Sequence, residues 1–222
     1  MDFQINGTTL QSLDIELKEG ESVFTESGGM AWMSANIDMD TSIKGGLGAG
    51  LGRMVSGESL FLVTYTCNSG TGLVTFCNEL PGKIVKFNMS ERAEVICQKD
   101  AFMVAEDSVK LKTRFRRRLG AGFFGGEGFF LQEISGEGMA FLEFSGEITE
   151  MELAEGQVLK VDPGHIGAFE PSVDFDINKV RGIKNMFFGG EGFFLATLRG
   201  PGKVWLQSMP LANLARKLAF QK

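Results

Sequence analysis

The nonapeptide FFGGEGFFL occurs twice, opening at Phe123 and again at Phe187, 64 residues on. A letter-for-letter recurrence of that length is not a coincidence, and a fixed period has to be settled before any other feature is read. At the same spacing SGEGMAFL (135–142) falls on RGPGKVWL (199–206), matching Gly136 with Gly200, Gly138 with Gly202 and Leu142 with Leu206. A weaker copy stands upstream, where SGESLFL (56–62) matches GGEGFFL and SGTGLVTF (69–76) matches SGEGMAFL. The other half of the unit repeats as well. LKEGESVFTESGGMAWM (17–33) resembles LAEGQVLKVDPGHIGAF (153–169), and MSERAEVICQKDAFMVA (89–105) fills that slot in the middle copy. The chain therefore reads as three tandem units of about 64 to 72 residues, at 1–79, 80–144 and 145–209, followed by a tail at 210–222.

Each unit reads as β-structure. SLDIELKEG, KIVKFNM and EITEMEL place apolar residues at every second position, the pattern of a half-buried strand. LFLVTYTCNSGTGLVTFCN is two such runs about a glycine-containing turn, and GFFLQEISGEGMAFLEFSG and GFFLATLRGPGKVWLQSM repeat the design. Strand–turn–strand units without an intervening helical period argue for an all-β fold. The tail PLANLARKLAFQK is the exception. Leu211, Leu214, Ala215 and Leu218 fall at helical spacing behind Pro210, which predicts a short amphipathic C-terminal helix.

Composition agrees with a globular chain: 222 residues, 43% hydrophobic and 23% charged. The twenty phenylalanines, against one tyrosine and two tryptophans, carry no polar group and are expected in the core or at seams between units. A net charge of −6 and a pI near 5.0 disfavour general nucleic-acid binding, because the chain as a whole repels phosphate. Cys67, Cys77 and Cys97 are odd in number and lack CxxC spacing, so they read as reduced thiols of a cytoplasmic protein. The N-terminal stretch has no signal-peptide pattern, and no apolar run is long enough for a transmembrane helix.

Taken three times, the EGxxV/L element, the [GS]GE[GS]xFL core and the GxGxV hairpin resemble the altered-inheritance-of-mitochondria 24 family, from about residue 10 to residue 209. The resemblance implies a fold similar to that of the tryptophan RNA-binding attenuation protein. Three β-sandwich-like repeats would then sit in one chain around a pseudo-threefold axis. It implies no enzymatic activity. Self-association into a homo-oligomer is expected because such units present strand edges, with a trimer as one form.

Three sets of residues are candidates for function. Glu58, Glu127 and Glu191 share one repeat slot and would form a ring under threefold symmetry, as an axial ligand site. Two carboxylates ~4 Å apart repel by about 4 kcal/mol at an effective dielectric near 20, so a buried trio would need protons, arginines or a cation. The competing reading is that each Glu is tied down within a tight turn.

The second set lies just before each GGE element, where a basic loop is expected in every copy. It comprises Lys44 and Arg53; then Lys110, Lys112, Arg114, Arg116, Arg117 and Arg118; then Lys179, Arg181 and Lys184. Such asymmetry in an acidic chain points to a face that meets an anionic partner or membrane surface. The competing reading is a solvated hairpin balanced by acidic neighbours.

The third candidate is His165, the only histidine. It sits in DPGHIGAF without a nucleophile motif, and reads as structural rather than catalytic. No catalytic residues, metal ligands or cofactor motif are identified. The leading function is thus a non-enzymatic scaffold or binding protein. The alternatives are a small-molecule site at unit or subunit seams, and an enzyme built on the Glu trio.

Overall fold

The structure is a computed structural model that describes residues 1–26, 29–41, 62–117, 129–179, 194–211 and 214. Among these residues the chain is all-β, in four antiparallel sheets. The first sheet runs, in hydrogen-bonded order, β1 (Asp2–Asn6), β2 (Ser12–Lys18), β7 (Thr71–Cys77) and β4 (Met30–Met33). The second runs β5 (Ile37–Asp40), β6 (Leu62–Cys67), β3 (Ser22–Glu26), β10 (Phe102–Glu106), β13 (Met139–Ser145) and β8 (Gly82–Asn88). The third runs β11 (Val109–Arg117), β12 (Phe129–Gly136), β9 (Glu94–Gln98), β16 (Ile166–Phe169), β19 (Gly202–Gln207) and β14 (Ile148–Leu153). The fourth runs β15 (Val158–Val161), β18 (Phe194–Arg199) and β17 (Asp174–Lys179). Raising every strand number of the second sheet by six gives the third sheet.

Two compact units result. One comprises Met1–Ala93, Phe102–Lys110 and Ser135–Glu143, and the other Glu94–Ala101, Leu111–Ile134 and Phe144–Lys222. Residues 80–144 contribute strands to both. Alternation explains each core. In β2, Leu13, Ile15 and Leu17 are buried while Asp14, Glu16 and Lys18 are not. They meet Val74 and Phe76 of the first sheet and Val23, Tyr65, Val104 and Phe141 of the second in a single apolar cluster. In the other unit Ile96, Phe129, Phe169 and Val204 of the third sheet pack with Ile177, Ala196 and Leu198 of the fourth. Each unit is therefore a sandwich of two sheets whose inner faces share a core.

Local devices recur at the repeat spacing. The register shifts by one residue between Met30 and Trp32 on β4, between Phe102 and Val104 on β10, and between Ile166 and Ala168 on β16. A turn in which the fourth residue's N–H donates to the first residue's carbonyl follows β2, β8 and β14. It joins Glu21 to Lys18 at 2.9 Å, Glu91 to Asn88 at 3.2 Å and Gln157 to Ala154 at 3.0 Å. In each copy, a side chain at the end of the bulged strand or one residue past it accepts a backbone N–H from the strand paired with it. Ser34 Oγ takes that of Leu73 at 2.9 Å, Glu106 Oε2 that of Met139 at 2.6 Å, and Glu170 Oε2 that of Lys203 at 3.0 Å. The strands expected to form hairpins, β6 with β7, β12 with β13 and β18 with β19, lie in different sheets and do not pair, because the strands on either side of each glycine turn join separate sheets. Gly136 ends β12 at φ +102°, and a Cβ there would lie 2.7 Å from the Ser108 carbonyl oxygen.

The chain's two tryptophans differ in setting: Trp32 on β4 is 54% exposed, whereas Trp205 on β19 is 2% exposed. No helix among the described residues is long and apolar enough to cross a membrane. The helix expected over 210–222 lies mostly outside the described residues. Within them, the Leu214 N–H donates to the Pro210 carbonyl at 3.3 Å.

Candidate functional site

The cationic segment expected as a loop in the middle repeat is strand through Arg117. Alternation explains why. Val109 is buried, Leu111 and Thr113 are half-buried, and the charged residues between them point out, so VKLKTR meets the requirement of a half-buried strand. Among the described residues β11 has a strand neighbour on one side, β12, and ends its sheet. Lys110, Lys112 and Arg114 are all exposed along it.

The three cations are not equivalent. Arg114 Nη1 reaches Glu133 Oε2 on β12 at 3.0 Å and Glu94 Oε2 on β9 at 3.4 Å. Its charge is thus matched across its own sheet, in partly solvated pairs each worth at most ~1 kcal/mol. Lys110 and Lys112 make no ion pair or hydrogen bond among the described residues, and their charge faces solvent unmatched. Arg116 and Arg117 close β11, and Lys179 ends β17. Lys44, Arg53, Arg118, Arg181 and Lys184 lie outside the described residues, as do Glu58, Glu127 and Glu191.

His165 closes a 3-10 turn, Pro163–His165, capped by Asp162, whose Oδ1 accepts the Gly164 N–H at 3.1 Å. Its Nδ1 lies 2.8 Å from the Gln207 carbonyl oxygen. A carbonyl can only accept, so this contact requires the proton on Nδ1. Gln207 Nε2 in turn donates to the Gly164 carbonyl at 2.9 Å. The imidazole therefore braces the turn against β19. No group of three or more His, Cys, Asp or Glu side chains placed to hold a metal occurs among the described residues.

A polar cluster on the outer face of the first sheet escaped the sequence reading. Asp14 Oδ1 accepts the Thr75 hydroxyl at 2.7 Å, and its Oδ2 accepts Asn6 Nδ2 at 2.9 Å. Thr75 is fully buried. Nearby, burial and then the Asp14 carboxylate push the Cys77 thiol above its ordinary pKa. Cys67 and Cys97 are buried, and none of the three cysteines forms a disulfide. The signal available in sequence was the cross-strand pair itself, Asp14 opposite Thr75, which becomes visible only once β2 is paired with β7.

The sequence reading also missed a charge contrast between edges in the same repeat slot. Where β11 carries Lys110 and Lys112, β5 carries Asp38 and Asp40, and β17 carries Asp174 and Asp176. Aligning VKLK with IDMD and VDFD would have revealed it.

Residues 3–209 match the family model described as mitochondrial biogenesis AIM24. The chain is 30% identical over 215 residues to the uncharacterised protein M6_Spy0233 of Streptococcus pyogenes serotype M6, covering 93% of this chain and 84% of the relative. It is similar to the X-ray crystal structure of protein SPYM3_0169 from Streptococcus pyogenes, with a TM-score of 0.81 and 27% identity over 98% of each chain.

Proposed function

Because this chain belongs to the mitochondrial biogenesis AIM24 family, we propose that it is a non-enzymatic scaffold that presents the basic edge of β11 to an anionic partner surface. The observation that carries this reading is the unmatched pair Lys110 and Lys112 on a strand edge of an otherwise acidic chain. An exposed edge offers backbone hydrogen bonds, and two adjacent cations add selectivity for negative charge. Arg116, Arg117 and Arg118 would extend the same basic stretch.

The proposal includes the threefold plan. Three β-sandwich-like repeats, similar to the tryptophan RNA-binding attenuation protein, close around a pseudo-threefold axis with the short C-terminal helix appended. The recurrent bulge, turn and side-chain clamp support it, because each is built three times at the repeat spacing. Self-association in the cytoplasm belongs to the same reading, supported by strands that end their sheets among the described residues and by three cysteines outside any disulfide.

The test is binding to vesicles containing phosphatidylserine, to neutral vesicles and to heparin, over a salt series. Binding to the anionic surfaces should weaken steeply with salt, and Arg116, Arg117 and Arg118→Ala together should reduce it further. Binding that ignores both salt and the substitutions, or no binding to any anionic surface, overturns the reading.

A further inference from the structure

The turn that leaves β1 opens with the chain's one Asn–Gly step, Asn6–Gly7. Asn6 is the last residue of β1 and pairs with Ser12 of β2, so Gly7 lies just beyond the ladder. Gly7 takes φ +84°, and Gly7 through Leu10 are exposed. With no Cβ on Gly7, its backbone nitrogen can approach the Asn6 side chain without obstruction. The Asn6 amide is meanwhile the keystone of a polar cluster. Its Nδ2 donates to Asp14 Oδ2 at 2.9 Å, and Asp14 Oδ1 accepts the hydroxyl of the fully buried Thr75 at 2.7 Å. An ionised carboxylate only accepts, so the cluster holds only while residue 6 carries a donor.

We propose that Asn6 is a site of spontaneous deamidation, and that the reaction unlocks β1 from β2. The Gly7 backbone nitrogen is an intramolecular nucleophile, held one bond away from the residue it attacks. It bonds to Asn6 Cγ and gives up its proton. The bond from Cγ to Nδ2 breaks, and that nitrogen leaves as ammonia. Water then opens the five-membered succinimide at one of its two carbonyls. The product is an ordinary aspartate, or an isoaspartate whose main chain runs through the side-chain carbon. In sum one water enters and one ammonia leaves, with no oxidant and no second protein.

Either product removes the donor and sets a carboxylate against Asp14. Like charges sharing a site oppose one another, and Asp14 is already committed to Thr75. The isoaspartate also lengthens the backbone by one methylene at the pair Asn6 with Ser12, where the ladder from Asp2 to Asn6 ends. Phe3 and Ile5 of β1 pack against the apolar cluster of this unit, so a loosened β1 uncovers part of a core. The intact amide is thus a latch on the N-terminal strand, and its chemical lifetime sets how long the latch holds.

Ageing the full chain at mildly alkaline pH and following residue 6 by peptide mass spectrometry tests this. Asn6 should convert from amide to acid in the folded chain, giving both aspartate and isoaspartate. Asn6→Gln should not convert, because its longer side chain would have to close a six-membered ring. Hydrogen exchange should quicken along β1 in the aged wild-type chain and stay slow in aged Asn6→Gln. Asn6→Asp mimics the ordinary product and should lower the urea midpoint. Combining it with Asp14→Asn should recover most of that loss, because donor and acceptor have then changed places. An Asn6 that stays amide in the folded chain, conversion that leaves exchange along β1 unchanged, an Asn6→Asp chain as stable as wild type, or a double exchange that restores nothing overturns the proposal.

Discussion

Strand β4 occupies the repeat slot of β10 and β16, and its sequence is as apolar as theirs: MAWM against FMVAE and IGAF. The bulge is the same in all three. Their surroundings differ. β10 lies between β3 and β13, β16 lies between β9 and β19, and each is buried almost throughout. β4 has β7 alone beside it among the described residues, and Trp32 and Met33 are exposed where Val104 and Ala168 are fully covered in Trp32's slot. Local sequence makes the strand and its bulge; a second neighbour makes the burial. The exposed residues of β4 are thus an interior sequence at an edge, which is the usual mark of a surface awaiting cover.

The most forceful way to break this comparison is to place the same charge in the same slot of two strands. Val104→Asp should cost ~3–5 kcal/mol, because the carboxylate is buried without a partner. Trp32→Asp should stay within about 0.5–1 kcal/mol. Urea denaturation of the two variants measures both, and equal losses would show that β4 is covered in solution.

The glycines at the turns into β7 and β13 give the next largest contrast. Gly136 and Gly70 share a slot, and both have positive φ. A Cβ at Gly136 would meet the Ser108 carbonyl, whereas at Gly70 nothing lies within 4 Å. Gly136→Ala should lower stability by about 1–3 kcal/mol, and Gly70→Asn by less than ~1 kcal/mol, by the same assay.

The side-chain clamp should give smaller differences. Loss of the Glu106 carboxylate in Glu106→Ala should cost about 1–2 kcal/mol, against about 0.5–1.5 for Ser34→Ala, because a charged acceptor makes the stronger bond. Thermal unfolding of the pair would order them.

The smallest effect concerns reactivity. At mildly alkaline pH, iodoacetamide should alkylate Cys77 more slowly than a free cysteine. Its raised pKa leaves less thiolate, and Asp14→Asn should speed the reaction by removing the second cause of that shift. Mass spectrometry of the labelled thiol over a pH series reads both rates.

These contrasts also show what was legible in the amino-acid pattern. Period-2 alternation placed β2 with its three inward residues, and the repeated glycines placed the turns that join β6 to β7, β12 to β13 and β18 to β19, although each turn joins strands of two different sheets rather than closing a hairpin. Both are local signals. The pairings of β3 with β10 and of β9 with β16 were not legible, because they join strands of successive repeats over long stretches of chain, and nothing in a single strand names its neighbour. The basic run of the middle repeat read as a loop because its charges outnumber its apolar residues. Its strand character rests on Val109, Leu111 and Thr113 alone. The acidic counterparts on β5 and β17 are hidden for a related reason: the anchor shared by the three is a single buried aliphatic residue, too little to fix an alignment.

The placement of Trp32 and Trp205 has an optical consequence. A solvated indole emits to the red of one enclosed in protein, so fluorescence separates the two compact halves without any label. Iodide should quench the red component from Trp32 and spare the blue component from Trp205, and a ligand or second copy laid along β4 would shield the first while leaving the second unchanged.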